Sequence, residues 1–323
     1  MARKSRIEFP ETGSRLEIWV LSDGKRGHEN QSLGLAEAMG KWSPLQVERI
    51  PLPEQRGWWR GRSALLNAVR EMAPPHLILA AGHRTHGWLW WLGRRTGAWT
   101  VVLMKPSLPR WLFDLCLIPG HDLRPGRSDP SGVISTTGAL NRVQPGKEER
   151  EDRGLILIGG PSKEHAWDGQ RLLAHLKEVV EAPSGPTQWV VSGSRRTPDG
   201  FLGELRAAMP GVEVVDATET GPDWLPSMLA KVREVWVGAD SVSMVYEALT
   251  GGARVGILPM PLRGKPGKLT RSLNDLQGQG WVTDWDHWKT EGELRPPPAR
   301  LAEAERCAAL VWERFFSKER GEG

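Results

Sequence analysis

The chain of 323 residues holds only two cysteines, Cys116 and Cys307, one tyrosine and five phenylalanines. Two cysteines make neither a disulfide framework nor a cysteine metal site, and they suit a reducing compartment. No apolar run approaches the roughly 20 residues of a membrane-spanning helix. The basic start, Met1-Ala2-Arg3-Lys4-Ser5-Arg6, has no apolar core behind it, which argues against a secretory signal. No short repeat is visible. The P-loop spacing is missing, and no Gly-x-Gly-x-x-Gly follows the first strand, which counts against a standard dinucleotide site. There is no Gly-x-Ser-x-Gly elbow. His83, His121 and Asp122 match no zinc spacing, so neither a metal nor a cofactor is expected. Lys plus Arg number 43 against 39 Asp plus Glu, a net charge of +4 with no dense basic block. Nucleic acid is not an expected partner.

What is abundant is tryptophan, with 17 residues. Trp favours surfaces that are half wet and half apolar. Arg56-Gly57-Trp58-Trp59-Arg60-Gly61-Arg62 and Trp88-Leu89-Trp90-Trp91 combine it with basic side chains, a pairing that could rest on an anionic membrane or could simply pack into a core.

Apolar runs alternate with helical patterns along the whole chain. Leu16–Leu21, Leu45–Ile50, His76–Ala80, Thr100–Met104, Leu115–Ile118 and Val133–Ser135 read as strands. Segments 31–39, 62–72 and 86–95 read as the helices between them. A charged stretch, Asn141 to Arg153, reads as an interdomain linker. The alternation then resumes. Strands are expected at 155–158, 188–191, 212–215, 235–237 and 254–258, with helices at 167–180, 199–209, 224–230 and after Ser243. A long helical pattern covers 299–318. Two βα series predict an α/β chain of two Rossmann-like domains facing a cleft, 1–145 and 146–323, with the tail helix a candidate to cross back.

In such folds ligands sit at the C-terminal ends of strands. Four polar loops stand there. The first, Ser22 to Asn30, holds Asp23, Gly24, Lys25, Gly27 and His28. A carboxylate and an imidazole are both plausible bases, and glycines allow close approach. Gly159-Gly160-Pro161-Ser162 is a phosphate-cradle candidate or an ordinary turn. Ser194-Arg195-Arg196-Thr197 can neutralise a diphosphate or be a solvated loop. Asp240-Ser241-Val242-Ser243 opens a short helix whose N-terminus suits an anion, with Glu247 one turn further on; the plainer reading makes Ser243 an N-cap. His121-Asp122 reads as a cleft-lining pair or a local cap.

Trp19 to Ala38, Ser194 to Pro198, and Asp240 to Ala248 resemble three signatures of the elongated-mitochondria family, and Phe113-Asp114, Pro119 and His121-Asp122 also fit. That family includes plant mitochondrial-fission factors and bacterial proteins classed with glycosyltransferases. The resemblance covers about residues 16 to 290. It implies a GT-B fold, a metal-independent transferase and a nucleotide-sugar donor. Gly159, Gly160, Ser162, Ser194, Arg195, Arg196 and Asp240 would lie on the donor side, with Ser241 and Ser243 on its phosphate and Glu247 on its ribose. The transferase that adds N-acetylglucosamine to the peptidoglycan lipid carrier has a comparable Gly-Gly-His turn, which implies His28 as base, then Asp23. Gly24, Lys25, Gly27, Gln31 and His83 would lie on the acceptor side. The implied acceptor is a cell-envelope glycan such as lipopolysaccharide, or a lipid-linked one, handled in the cytoplasm or peripherally at the inner membrane. Lys105-Pro106-Ser107 departs from the more acidic or Arg-containing segment expected there. Two other readings stay open: an adaptor that keeps the fold without catalysis, and a sugar-nucleotide epimerase.

Overall fold

A computed structural model of the chain describes residues 15–53, 58–123, 131–146 and 149–317. The basic start at Met1–Arg6 and the pair Arg56-Gly57 lie outside them, as do the side chains of Trp58, Trp59 and Arg60. The chain divides into two compact units, residues 1–142 with 303–323, and residues 143–302.

The first unit is built on β1 (Leu16–Ser22), α1 (Arg26–Met39), β2 (Leu45–Pro51), α2 (Trp58–Ala68), β3 (Leu77–Ala81), α3 (His86–Thr96), β4 (Trp99–Leu103), β5 (Leu115–Pro119) and β6 (Val133–Thr136). Its six strands are all parallel, in the order β2-β1-β3-β4-β5-β6. Central strands of a sheet covered on both faces need apolar side chains on both, which is why β3 and β5 are unbroken apolar runs with every residue buried. The edge strand β2 carries Gln46, Glu48 and Arg49 instead. The chain runs from β1 outward to β2, then returns to β3 on the other side. The order of strands therefore reverses between β1 and β3.

The second unit contains β7 (Glu151–Leu157), α4 (Gly169–Val180), β8 (Gln188–Ser192), α5 (Phe201–Ala208), β9 (Glu213–Val215), α6 (Trp224–Leu229), β10 (Val232–Gly238), α7 (Val242–Gly251), β11 (Arg254–Leu258), α8 (Lys268–Gly278) and α9 (Trp285–Glu291). Its five parallel strands run β11-β10-β7-β8-β9, so the reversal falls between β10 and β7. The last helix, α10 (Glu303–Phe315), belongs to the first unit. Cys307, Ala308 and Val311 enter its core beside α1 residues, and Phe315 stacks on Trp99 at 4.3 Å.

Several boundaries differ from the sequence expectation, each for a physical reason. Helix α1 begins at Arg26, five residues early, and the Asp23 carboxylate accepts the Lys25 N–H at 3.2 Å, which orders the turn ahead of it. Gly27 and His28 are thus in its first turn. The region read as a linker is partly packed. Asn141 and Val143 are buried, β7 starts at Glu151, and the Arg150 guanidinium donates to the carbonyls of Leu229, Val232 and Gly251. Helices α8 and α9 were not foreseen. The backbone N–H groups of Leu269 and Thr270, which open α8, are held by Glu164, over 100 residues earlier in the chain.

Tryptophan serves mainly as core. Trp236 is buried against Trp285 and Trp288, and the Gly256 backbone lies directly under its ring. Trp91 is buried, Trp88 and Trp90 pack on the same cluster, and Arg62 and Arg94 lie over the rings of Trp91 and Trp90. Among the described residues no helix is long and apolar enough to cross a membrane.

Candidate functional site

In the first unit the polar groups gather where the strand order reverses, the position at which open α/β sheets hold ligands. Asp23 directly follows β1 with its side chain wholly shielded, and both of its carboxylate oxygens lie against His28 Nδ1, at 3.1 and 3.0 Å. A carboxylate can only accept, so Nδ1 carries a proton, and in the neutral ring the lone pair is on Nε2. Gly82 directly follows β3 on the other side of the reversal. Its φ of +89° and the 2.3 Å that would separate a Cβ from His28 Nδ1 leave room for glycine alone. Gln31 donates to Gly27 O at 3.3 Å and to Met104 Sδ at 3.4 Å. Met104 follows β4 with φ +75°, the positive-φ residue other than glycine among those described. Strain of this kind concentrates at functional sites.

His86 escaped the sequence reading. It is buried at the start of α3, and its Nδ1 accepts the Ser107 N–H at 3.0 Å and lies 2.8 Å from Ser107 Oγ. Burial, then the nearby His83 and His28, hold it down to about 4. It is therefore neutral at physiological pH, and its buried Nε2 has no hydrogen-bond partner among the described residues. The pattern His83-Arg84-Thr85-His86 after a strand was the only available signal. Gly24, Lys25, Gly27 and His83 are exposed around this group. His121 and Asp122 sit on a short turn after β5 with Nε2 and Oδ2 3.9 Å apart.

In the second unit three loops follow adjacent strands, β10, β7 and β8, again at the reversal. Asp240 is their hub. Its Oδ2 accepts the Gly160 N–H at 3.0 Å and the Ser241 hydroxyl at 2.9 Å, and pairs with Arg196 Nη2 at 2.8 Å. Arg196 also donates to Ser241 Oγ at 2.7 Å and to Gly160 O at 3.2 Å. Ser194 Oγ donates to Gly159 O at 3.1 Å. The loops touch so closely that a Cβ at Gly159 would fall 1.9 Å from Asp240 Oδ2, and one at Gly160 1.9 Å from Arg196 O.

This network redistributes the expected roles. The Arg196 charge is met by Asp240, whose side chain has no exposed surface. Arg195 is exposed and makes no hydrogen bond or ion pair among the described residues. Ser162 Oγ accepts the N–H groups of Glu164 and His165 at 3.2 and 2.9 Å, which closes its own turn. Ser241, not Ser243, is the N-cap residue of α7, and Ser243 is exposed in its first turn. Glu247 follows one turn later, without a hydrogen bond or ion pair among the described residues, and desolvation pushes its carboxyl up to about 7. His165 is a second residue missed from the sequence. It is buried, its Nδ1 lacks a partner among the described residues, and burial holds its pKa down although Asp240 and Glu164 lie near.

Residues 26–315 match the family described as mitochondrial fission ELM1. A relative, the uncharacterized protein RP120 of Rickettsia prowazekii, is 28% identical and aligns over 76% of this chain and 84% of its own. Three solved structures are similar. The UDP-GlcNAc 2-epimerase of Methanocaldococcus jannaschii superposes with a TM-score of 0.57 at 10% identity, covering 93% of this chain and 100% of that one. MurG of Acinetobacter baumannii gives 0.51 at 9%, covering 92% and 99%. Phytolacca americana UGT2, complexed with UDP-2fluoro-glucose and pterostilbene, gives 0.50 at 10%, covering 93% and 90%. At such identities the likeness is one of fold, the two-sheet parallel α/β architecture of GT-B proteins.

Proposed function

The chain belongs to the mitochondrial fission ELM1 family, and from that premise we propose that it is a glycosyltransferase using a nucleotide-sugar donor. The observation that carries this is the placement of both polar sets at the strand-order reversals of their own sheets. The second unit holds the donor. Helix α7 presents the N–H groups of its first turn and the Ser243 hydroxyl to a diphosphate, and Arg195 brings a cation. Gly159 and Gly160 let the loop after β7 close against Asp240 and Arg196. Glu247 meets the ribose hydroxyls, and a neutral carboxyl there can both donate and accept. Asp240 and Arg196 brace the three loops from behind. UDP in the names of two of the similar structures favours a uridine nucleotide.

The first unit supplies the base. His28 Nε2 takes the proton of an acceptor hydroxyl, while Asp23 fixes the tautomer and stabilises the imidazolium that forms. Negative charge developing on the departing diphosphate is met by the α7 N-terminus and Arg195. Neither a metal nor a cofactor takes part. A cell-envelope glycan or a lipid-linked sugar is the acceptor class.

The test is to incubate the purified chain with a panel of nucleotide sugars and a cell-envelope lipid extract, and to follow nucleotide release and product mass. Transfer that falls about 10²–10⁴-fold in His28→Ala supports the reading. Donor turnover without any acceptor would instead make the site an epimerase, and no nucleotide affinity at all would make the chain a fold-retaining adaptor.

A further inference from the structure

Residues 72–113 contain no Asp or Glu, and carry Arg84, Arg94, Arg95, Lys105 and Arg110. Arg94, Arg95 and Arg110 lie ahead of the parallel strands β4 and β5, at the N-terminal ends of the sheet, whereas Arg84 and Lys105 follow β3 and β4 at the opposite ends. Five of the chain's tryptophans lie in this run. Trp88, Trp90, Trp91 and Trp99 pack on the two core clusters of the unit. Trp111 does not: it is 79% exposed, at the centre of a short turn between β4 and β5, Arg110–Leu112. It borders a cavity of about 60 Å³ together with Trp90, Arg94, Leu112 and Asp114. Arg110 precedes it in the turn, and Arg95, next to Arg94 in the last turn of α3, is exposed. Asp114, which ends the acid-free run, has Oδ2 committed to the N–H and hydroxyl of Thr100 at 2.9 and 2.8 Å.

We infer that this face docks on an anionic phospholipid surface, with Trp111 entering the headgroup region and Arg94, Arg95 and Arg110 meeting lipid phosphates. Indole is suited to that depth, because its ring is apolar and its N–H is polar. Arginine matches phosphate geometry and keeps its stem in the apolar layer. The three arginines are complementary in charge to such a surface, and one wedge with three cations gives the weak, reversible attachment of a peripheral protein. The inference does not rest on the transferase reading, because lipid binding and nucleotide affinity are measured separately and neither requires the other.

The experiment is co-sedimentation of the full chain with vesicles of phosphatidylcholine alone, and of phosphatidylcholine with one third phosphatidylglycerol. Binding to the anionic vesicles only, weakened by added salt, is expected. Each arginine near such a surface is worth about a fivefold change in partition, so R95Q with R110Q should weaken binding about 25-fold. Trp111→Ser should reduce it further at any salt. These side chains are exposed, so the variants should keep the wild-type thermal midpoint, and the charge reversal R110E provides a second check. Equal binding to both vesicle types, no binding at low salt, or wild-type binding by the variants would overturn the inference. So would capture of an acidic protein by this face in the absence of vesicle binding.

Discussion

Replacing Glu247 with glutamine should stabilise the protein at alkaline pH and do little at acid pH. Glu247 is partly buried on α7, and desolvation moves its carboxyl from its ordinary 4.5 to about 7. Between these values the unfolded chain has lost the proton and the folded chain keeps it. The unfolded state thus binds fewer protons, and stability falls as pH rises through this window. The loss is complete once the folded group ionises, and amounts to about 3 kcal/mol above pH 7 as an order of magnitude. Glutamine keeps the shape and cannot ionise. The assay is urea unfolding of wild type and Glu247→Gln at pH 5 and pH 8, read as the difference between the two proteins. That difference matters, because His86 works in the opposite direction: its depressed pKa removes stability as pH falls from 6.5 to about 4. A gain of about 3 kcal/mol at pH 8, falling to about 1 kcal/mol or less at pH 5, is expected. The same offset at both pH values would refute the reasoning.

Asp240→Ala should destabilise the second unit by about 2–4 kcal/mol, since it strands the Gly160 N–H and the Arg196 charge; partial exposure of Arg196 places the value toward the lower end. Urea unfolding checks this, and a loss under 0.5 kcal/mol would show that the hub does not hold the loops. Gly82→Ala should cost about 1–2 kcal/mol through its positive φ, and should lower transfer at least tenfold by driving His28 off Asp23. Steady-state kinetics beside a thermal midpoint separate the two effects.

The strands were legible because a sheet covered on both faces demands unbroken apolar runs, and Leu16–Leu21, His76–Ala80 and Leu115–Ile118 have them. The family and the GT-B fold were legible for a related reason: the signatures around Asp23, Ser194 and Asp240 are the loops that the fold fixes at strand ends. What could not be read depended on contacts distant in sequence. Arg196 meets Asp240 across 44 residues, so its charge looked free when seen alone in the Ser194–Thr197 loop. The start of α8 draws on Glu164, and the place of His86 depends on Ser107, 21 residues ahead on the far side of β4. The start of α1 was hidden by Gly27, which reads as a loop residue, and by the lack of a capping side chain at Lys25.

The most direct measurement of the central claim is nucleotide affinity by titration calorimetry, with UDP, GDP, CMP and ADP offered in turn to wild type, Glu247→Ala and Arg195→Ala. The account predicts that one nucleoside diphosphate binds the wild type and binds each variant at least tenfold more weakly. Unchanged affinity in both variants would place the donor elsewhere and contradict it.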